Sequence, residues 1–345
     1  MILFTVMPLK KYTSAALVFI CLITDCRKLD KPVTTTQPFP TAKGDLYIVG
    51  ATVGTTVPNV PAYWLNDSVT LLSGGNTWGS ANNIFTNGAD VYVAGITLGG
   101  TPVNTAVYWK NGSIVNLPGG TFGGQANAIA VSGADVYVAG LIYAASGKTM
   151  AAYWKNGVAT QLTDGSADAD AFSIAVNGTD VYIAGMMTAS NGNSVAAYWK
   201  NGALTKLTDG SSNGWANMVK TWGADTYVAG FSNKNATYWK NGAAVKLDDN
   251  AHGSTVNAIC FDGDNIYFAG TITTSDGVAK AAYWRNGALT VLSSESSLAN
   301  TIVINGGVVC VAGINAQGDG VLWQNGVASL LGGRFYPNAM GILQK

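Results

Sequence analysis

Few side chains in this chain are equipped for chemistry, and most of those are carboxylates. Its 345 residues hold one His, four Cys and one Glu, and 19 acidic residues are matched by 19 basic ones. In the variable loops, once the repeated turn aspartates are set aside, the acids are Asp164, Asp168, Asp170, Asp209, Asp248, Asp249, Asp276, Asp319 and Glu295. A polysaccharide hydrolase or lyase would need two carboxyls about 5–10 Å apart, one as acid and one as base or nucleophile. Asp168, Asp170 and Glu295 are the candidates, although no spacing pairs them. Asp164, Asp168 and Asp170 supply some acids of a calcium loop. Calcium takes about six to eight oxygens, and no Asp-x-Asp-x-Asp-Gly run with a distal Glu completes the set. Ser/His/Asp chemistry would rest on His252 alone, without a G-x-S-x-G elbow. A single His and scattered cysteines give no His/Cys metal set. No metal and no cofactor are expected, and the acid–base inventory favours binding over catalysis.

Composition narrows the partners. Charged residues are 11% of the chain and sum to zero, so a basic nucleic-acid surface is excluded. The 48% apolar content is dispersed, without the run of about 20 that spans a bilayer. Glycine is unusual, at 43 residues beside only 9 prolines, too few for collagen and too proline-poor for a low-complexity chain.

Those glycines belong to a repeat that fixes the elements. One copy reads GADVYVAG, a variable loop, AAYWKNG, LTDG, a second variable loop, and ANAIAVS. Its glycine recurs at Gly50, Gly95, Gly140, Gly185, Gly230, Gly270 and Gly313, read as closing the strand. A tryptophan follows each, at Trp64, Trp109, Trp154, Trp199, Trp239, Trp284 and Trp323. VYVAG and NAIAV are apolar on both faces, as strands covered on both sides must be. The strand after the Trp admits polar residues and reads as an outer one. Asn-Gly joins it to the Trp strand in six copies, from Asn111-Gly112 to Asn325-Gly326, which is the strongest short hairpin signal. Asn66-Asp67 takes that place in the first copy.

Seven copies of four short strands predict an all-β, seven-bladed β-propeller over residues 44–345. The chain resembles propellers in general and kelch-type blades in particular: a strand, a tight turn and an aromatic strand ending in glycine, with Ala-Gly where kelch blades carry two glycines. On that strand order NAIAV is innermost. The C-terminal Asn338-Ala339-Met340-Gly341-Ile342 would then complete the first blade beside Leu46–Gly50 and close the ring. The Tyr-Trp-Lys-Asn-Gly repeats also resemble bacterial cell-surface lipoproteins of unassigned activity.

The N-terminus fits export. Lys10 and Lys11 precede an apolar run from Ala15 to Ile23, too short to span a bilayer. Residues 1–25 read as a secretory signal resembling that of bacterial lipoproteins, which implies lipidation of Cys26 and an outer-membrane anchor facing periplasm or cell surface. An ordinary signal with an incidental cysteine is the alternative. Residues 26–43, with Thr34-Thr35-Thr36 and prolines, suit a tether. A monomer is expected.

Tracing the strands puts both tight turns on one face and both variable loops on the other, where function would concentrate. The turn face carries Lys110, Lys155, Lys200, Lys240 and Arg285, matched by aspartates in successive blades, and reads as a solvated paired rim. The repeat tryptophans read as core. Unrepeated aromatics before the inner strands, Trp78, Phe122, Trp215, Phe335 and Tyr336, together with His252, are either ligand contacts or apolar plugs. Asn82, Asn127, Asn217, Asn257, Asn300 and Asn338 recur two residues before the inner-strand Ile, Val or Met, with Phe172 the exception. That amide ring either fixes loops or binds a polar ligand. The expectation is a binding or scaffold module for a glycan or an envelope protein, with the hydrolase or lyase as alternative. Cys260 and Cys310 read as free buried thiols.

Overall fold

Turn chemistry sets the strand pairing. At the Asn-Gly hairpins both central residues have positive φ (Asn156 50°, Gly157 82°), the twist that lets two strands leave a two-residue turn antiparallel. The computed structural model describes residues 44–52, 59–65, 68–72, 77–98, 103–247, 252–332 and 335–344. Residues 1–43, on which the expected signal, Cys26 and the expected tether fall, and Asn66-Asp67, Asp248 and Asp249 lie outside the described residues.

The described residues form 28 strands and no helix, in seven antiparallel sheets of four. Blade 3 is typical: inner strand Gly124–Ser132, second strand Asp135–Tyr143, third strand Thr149–Lys155 and outer strand Val158–Gln161. The inner strands of neighbouring blades touch around the ring. Blade 1 is composite. Its inner strand is the C-terminal Phe335–Gln344, paired antiparallel with Gly44–Thr52 so that Met340 faces Ile48. The ring is therefore closed by the two ends of the fold, and the closing strand is longer than the sequence suggested.

The core lies between blades. Trp154 in blade 3 is fully buried in a cluster with Ala94 and Ala106 of blade 2, large against small. Its indole Nε1 donates to the Pro118 carbonyl at 2.8 Å. Trp109, Trp199, Trp239, Trp284 and Trp323 are as deeply buried, and Trp64 nearly so. A buried Trp covers on the order of 150–250 Å², so one per blade supplies much of the inter-blade adhesion. Every four-residue outer strand is exposed along most of its length, the short-edge solution to unpaired backbone. Cys260 and Cys310 are free, and burial pushes their thiols up to about 12 and about 11.

Candidate functional site

A repeated backbone defect builds the mouth of the ring. The register of every inner strand against its second strand slips by one residue, between Ala126 and Ala128 in blade 3 and at matching places in the others. The extruded residues are Asn82, Asn127, Phe172, Asn217, Asn257, Asn300 and Asn338. A β-bulge of this kind bends its strand and re-aims a side chain. It also drives a carbonyl into the second strand, where each repeat glycine sits. A Cβ on Gly140 would lie 1.9 Å from the Gln125 oxygen, and on Gly185 1.9 Å from the Asp170 oxygen. The glycine therefore does not close the second strand, as its place in the repeat suggested; the strand runs on to Tyr143 in blade 3. Glycine is required because the bulge presses on it.

The re-aimed amides tie the blades together. Asn82 Nδ2 donates to the Ala126 carbonyl and Asn127 Nδ2 to that of Ala171, both at 2.9 Å. Asn217, Asn257 and Asn300 reach Val256, Ala299 and Pro337 at 2.8 Å, and Asn338 reaches Ala81 at 2.9 Å. A second row reinforces some joints. Asn83 Oδ1, Ser173 Oγ and Thr301 Oγ1 accept from the backbone N–H of Ile129, Val219 and Met340, each at 3.2 Å. A net hydrogen bond contributes about 0.5–1.5 kcal/mol. Of the two readings the sequence left open, these contacts supply the structural role of the amides.

One joint lacks the amide. Phe172 stands where blade 4 should reach the Ala216 carbonyl of blade 5. Its ring packs on Trp215 at 6.3 Å between centroids, and Trp215 packs on Phe231 at 5.4 Å. Trp215 Nε1 is buried without an acceptor among the described residues.

Two residues before each extruded one, on the same side of the strand, stands a second ring: Ser80, Gln125, Asp170, Trp215, Thr255, Leu298 and Tyr336. It rests on the first. Gln125 Nε2 donates to Asn127 Oδ1 at 2.7 Å, and Asn338 Nδ2 reaches Ser80 Oγ at 3.1 Å. Inner strands begin on the variable-loop face, so this ring surrounds the mouth there. No two neighbours have the same chemistry: hydroxyl, amide, carboxylate, indole, hydroxyl, alkyl, phenol. Asp170 is the one charge and is only 2% exposed. Burial pushes the Tyr143 phenol up, and the Asp170 charge adds to the rise.

The aromatic candidates divide. Trp215 and Tyr336 belong to the mouth ring. Trp78 is half-buried and Phe122 is 47% exposed in loops that lead to it, and His252 is exposed in another. The carboxylates divide as well. Asp168 Oδ1 accepts from Thr149 N–H at 2.9 Å, fastening a loop, as Asn213 does with Ser194 one blade on. Asp164 and Asp209 cap their own loops by accepting from Ser166 and Ser211 N–H, and the hydroxyls of those serines, followed by these N–H bonds, hold both carboxyls below the usual range. Glu295 is exposed between blades 6 and 7, whereas Asp168 lies between blades 3 and 4 and Asp170 in the inner strand of blade 4. No group of His, Cys, Asp or Glu suited to a metal exists among the described residues. The sequence reading missed Ser80, Gln125, Thr255 and Leu298. Their signal was available: they vary at a fixed place in an otherwise repeated strand.

The opposite face is uniform. Lys155 Nζ meets Asp135 Oδ2 at 2.8 Å and lies 5.2 Å above the Tyr137 ring. Asn156 Nδ2 donates to Asp135 Oδ1, and Asn156 Oδ1 accepts from Val136 N–H. The same set recurs around Asp90, Asp180 and Asp225. The pairs form within each blade, not between successive blades, because the two tight turns of one blade stand side by side. Lys155 and Asn156 hold the Asp135 carboxyl below its usual range.

No family model and no curated protein matches this chain. Among solved structures it is similar in fold to a puromycin hydrolase S511A mutant complexed with PGG, with a TM-score of 0.54 at 11% identity over 85% of this chain. It covers 53% of that chain, about half its length. The WD40 β-propeller domain of Doa1 aligns at 15% identity with a TM-score of 0.46, over 72% of this chain and 80% of that one. This is a seven-bladed β-propeller. At such identities the likeness is one of fold alone.

Proposed function

We propose that this propeller is a binding module that takes a glycan at its variable-loop mouth, exported and held to the outer membrane through a lipid on Cys26. The observation that carries the reading is the unrepeated ring Ser80, Gln125, Asp170, Trp215, Thr255, Leu298 and Tyr336, seated on a repeated ring of amides. Repetition serves the scaffold, and side chains that vary around the mouth, on the face of the variable loops, are the ones a ligand would read. The mixture suits sugars: hydroxyl and amide groups meet hydroxyls, and an indole or phenol face covers the apolar face of a pyranose. The dispersed carboxylates Asp168, Asp170 and Glu295 give a hydrolase less support than the ring gives binding. An envelope protein remains the other kind of partner the same mouth would fit.

Glycan-array binding by the chain from residue 27 onward tests the reading. Trp215→Ala and Gln125→Ala should each weaken a positive glycan at least about tenfold, near 1.4 kcal/mol, while Phe122→Ala, further out, changes it less. Because Trp215 also packs on Phe172 and Phe231, the Gln125 variant guards against a folding artefact. Equal binding by all three variants would remove the mouth from consideration. For the anchor, Cys26→Ser should abolish incorporation of labelled fatty acid in cells; retained label would refute it.

A further inference from the structure

The outer rim of the ring is not uniform. At the last residue of the outer strand, blades 2 to 5 carry Asn116, Gln161, Lys206 and Lys246. Blades 6, 7 and 1, which are neighbours, carry Val291, Leu330 and Leu71 there. A charge on an edge strand blunts it against further pairing, and an amide offers no apolar contact. Three adjoining blades lack that guard. Blade 7 is the barest of them: in its outer strand Val327–Leu330, Val327 is 74% exposed and Leu330 57%.

The backbone of that strand is half used. Leu331 N–H donates to the Gly320 carbonyl at 2.8 Å, and Leu330 stands opposite Val321 in the next register position. Bonding alternates along an antiparallel pair, so the N–H and C=O groups of Ala328 and Leu330 point away from the sheet. Beside them, between blades 6 and 7, runs a groove of about 330 Å³. Buried Val321 and Trp323 floor it, with Leu292 half-buried beside them, and exposed Ser294 and Leu330 stand at its margins. No charged side chain lines it among the described residues. Acids stand just outside. Glu295 follows Ser294, and the Asp319 carbonyl accepts from the N–H of Asn315, which lines the groove, at 3.0 Å. Neither carboxylate forms an ion pair among the described residues.

The dimensions choose the occupant. The free edge is about 13 Å long, whereas a stable interface between folded proteins buries about 1,200–2,000 Å². A second copy meeting this convex rim would pair along one short edge and fall short of that area. An extended segment needs no more than the edge itself, and it lowers alternate side chains into whatever pocket lies alongside. We propose that the outer edge of blade 7 takes an extended peptide segment of a partner protein as a fifth strand. One apolar side chain of the segment enters the groove between blades 6 and 7, and a lysine or arginine near it meets Glu295 or Asp319. This surface lies on the flank of the ring and is separate from the mouth.

A fluorescein-labelled peptide, Lys-Val-Thr-Val-Thr-Val-Lys, serves as the probe, titrated by anisotropy against the chain from residue 27 onward. Saturable binding with a Kd of about 100 µM or tighter is expected. Proline in place of the central valine removes a backbone donor, and binding should be lost. Leu330→Gln gives blade 7 the side chain that blade 3 carries as Gln161 and leaves the charge unchanged; it should weaken binding at least about fivefold. Val158→Gln, at a comparably exposed valine of blade 3, should leave binding as it was. A probe that does not saturate, a proline peptide that binds as well as its parent, or equal affinities in the Leu330→Gln and Val158→Gln variants would overturn the proposal.

Discussion

The two faces of this ring are made by the same strands yet follow opposite rules. On the tight-turn face, four blades repeat one set of contacts among Asp, Lys, Tyr and Asn, every member satisfied within its own blade. On the variable-loop face, the Asn ring repeats but its partners lie in the next blade, and the ring above it changes at every step. A contact closed within a blade can be copied without regard to neighbours. A contact between blades ties seven units into one cooperative body and leaves the residues above it free to vary. The exception among the inter-blade amides is Phe172 in blade 4, whose ring packs on Trp215 of blade 5 instead.

The largest effect should come from opening the ring. Deleting residues 335–345 removes the inner strand of blade 1 and exposes the inner edge of Gly44–Thr52. Loss of the cooperative melting transition is expected by calorimetry; a truncated chain that melts at the parent temperature would break the closure. Next in size is Gly140→Ala, which puts a methyl 1.9 Å from the Gln125 oxygen. Urea titration should show a loss of about 3 kcal/mol or more, within the range of severe single substitutions. A loss below 1 kcal/mol would mean that the bulge can relax.

Removing one inter-blade amide should cost less. Asn127→Ala leaves the Ala171 carbonyl without its donor and should destabilise by about 1–2 kcal/mol. The converse, Phe172→Asn, restores the sequence of the other joints but removes the ring packed on Trp215. It should be closer to neutral than Asn127→Ala; equal losses would deny that the amide is the working contact. The smallest effect belongs to the exposed rim. The folded Asp90, Asp135, Asp180 and Asp225 carboxyls titrate below their unfolded values. Their contribution is complete above the unfolded pKa near about 3.9 and is lost as pH falls through the lower folded pKa values. The parent should therefore weaken as pH falls from about 4 toward 2. Replacing all four with Asn should flatten that slope in acid titrations followed by tryptophan fluorescence. An unchanged slope would show that these ion pairs carry no linkage.

Much of this was legible in the chain before any coordinates. Spacing of glycine and tryptophan fixed the blade count. Asn-Gly fixed the hairpins, because few other dipeptides accept two positive φ angles. The surplus inner strand at the C-terminus fixed the closure. The site was less legible. The glycine looked like strand punctuation because the bulge opposing it leaves no local mark; it is a relation between two strands. The amides of Asn127 and its equivalents looked as suited to a ligand as to a scaffold, because their acceptors lie some 40 residues away, on the next blade.

By itself, then, the sequence determined everything governed by local periodicity and turn geometry: seven blades, their hairpins, their buried tryptophans and the strand that closes them. Only the tertiary structure decided what depends on contacts between blades. It turned the recurrent Asn into inter-blade ties, made the repeat Gly a relief for a displaced carbonyl, and gathered Ser80, Gln125, Asp170, Trp215, Thr255, Leu298 and Tyr336 into one ring. The physical reason is that hydrogen-bond partners and close approaches are set by distance in space, and in a closed ring each mouth residue meets a neighbour a whole repeat away.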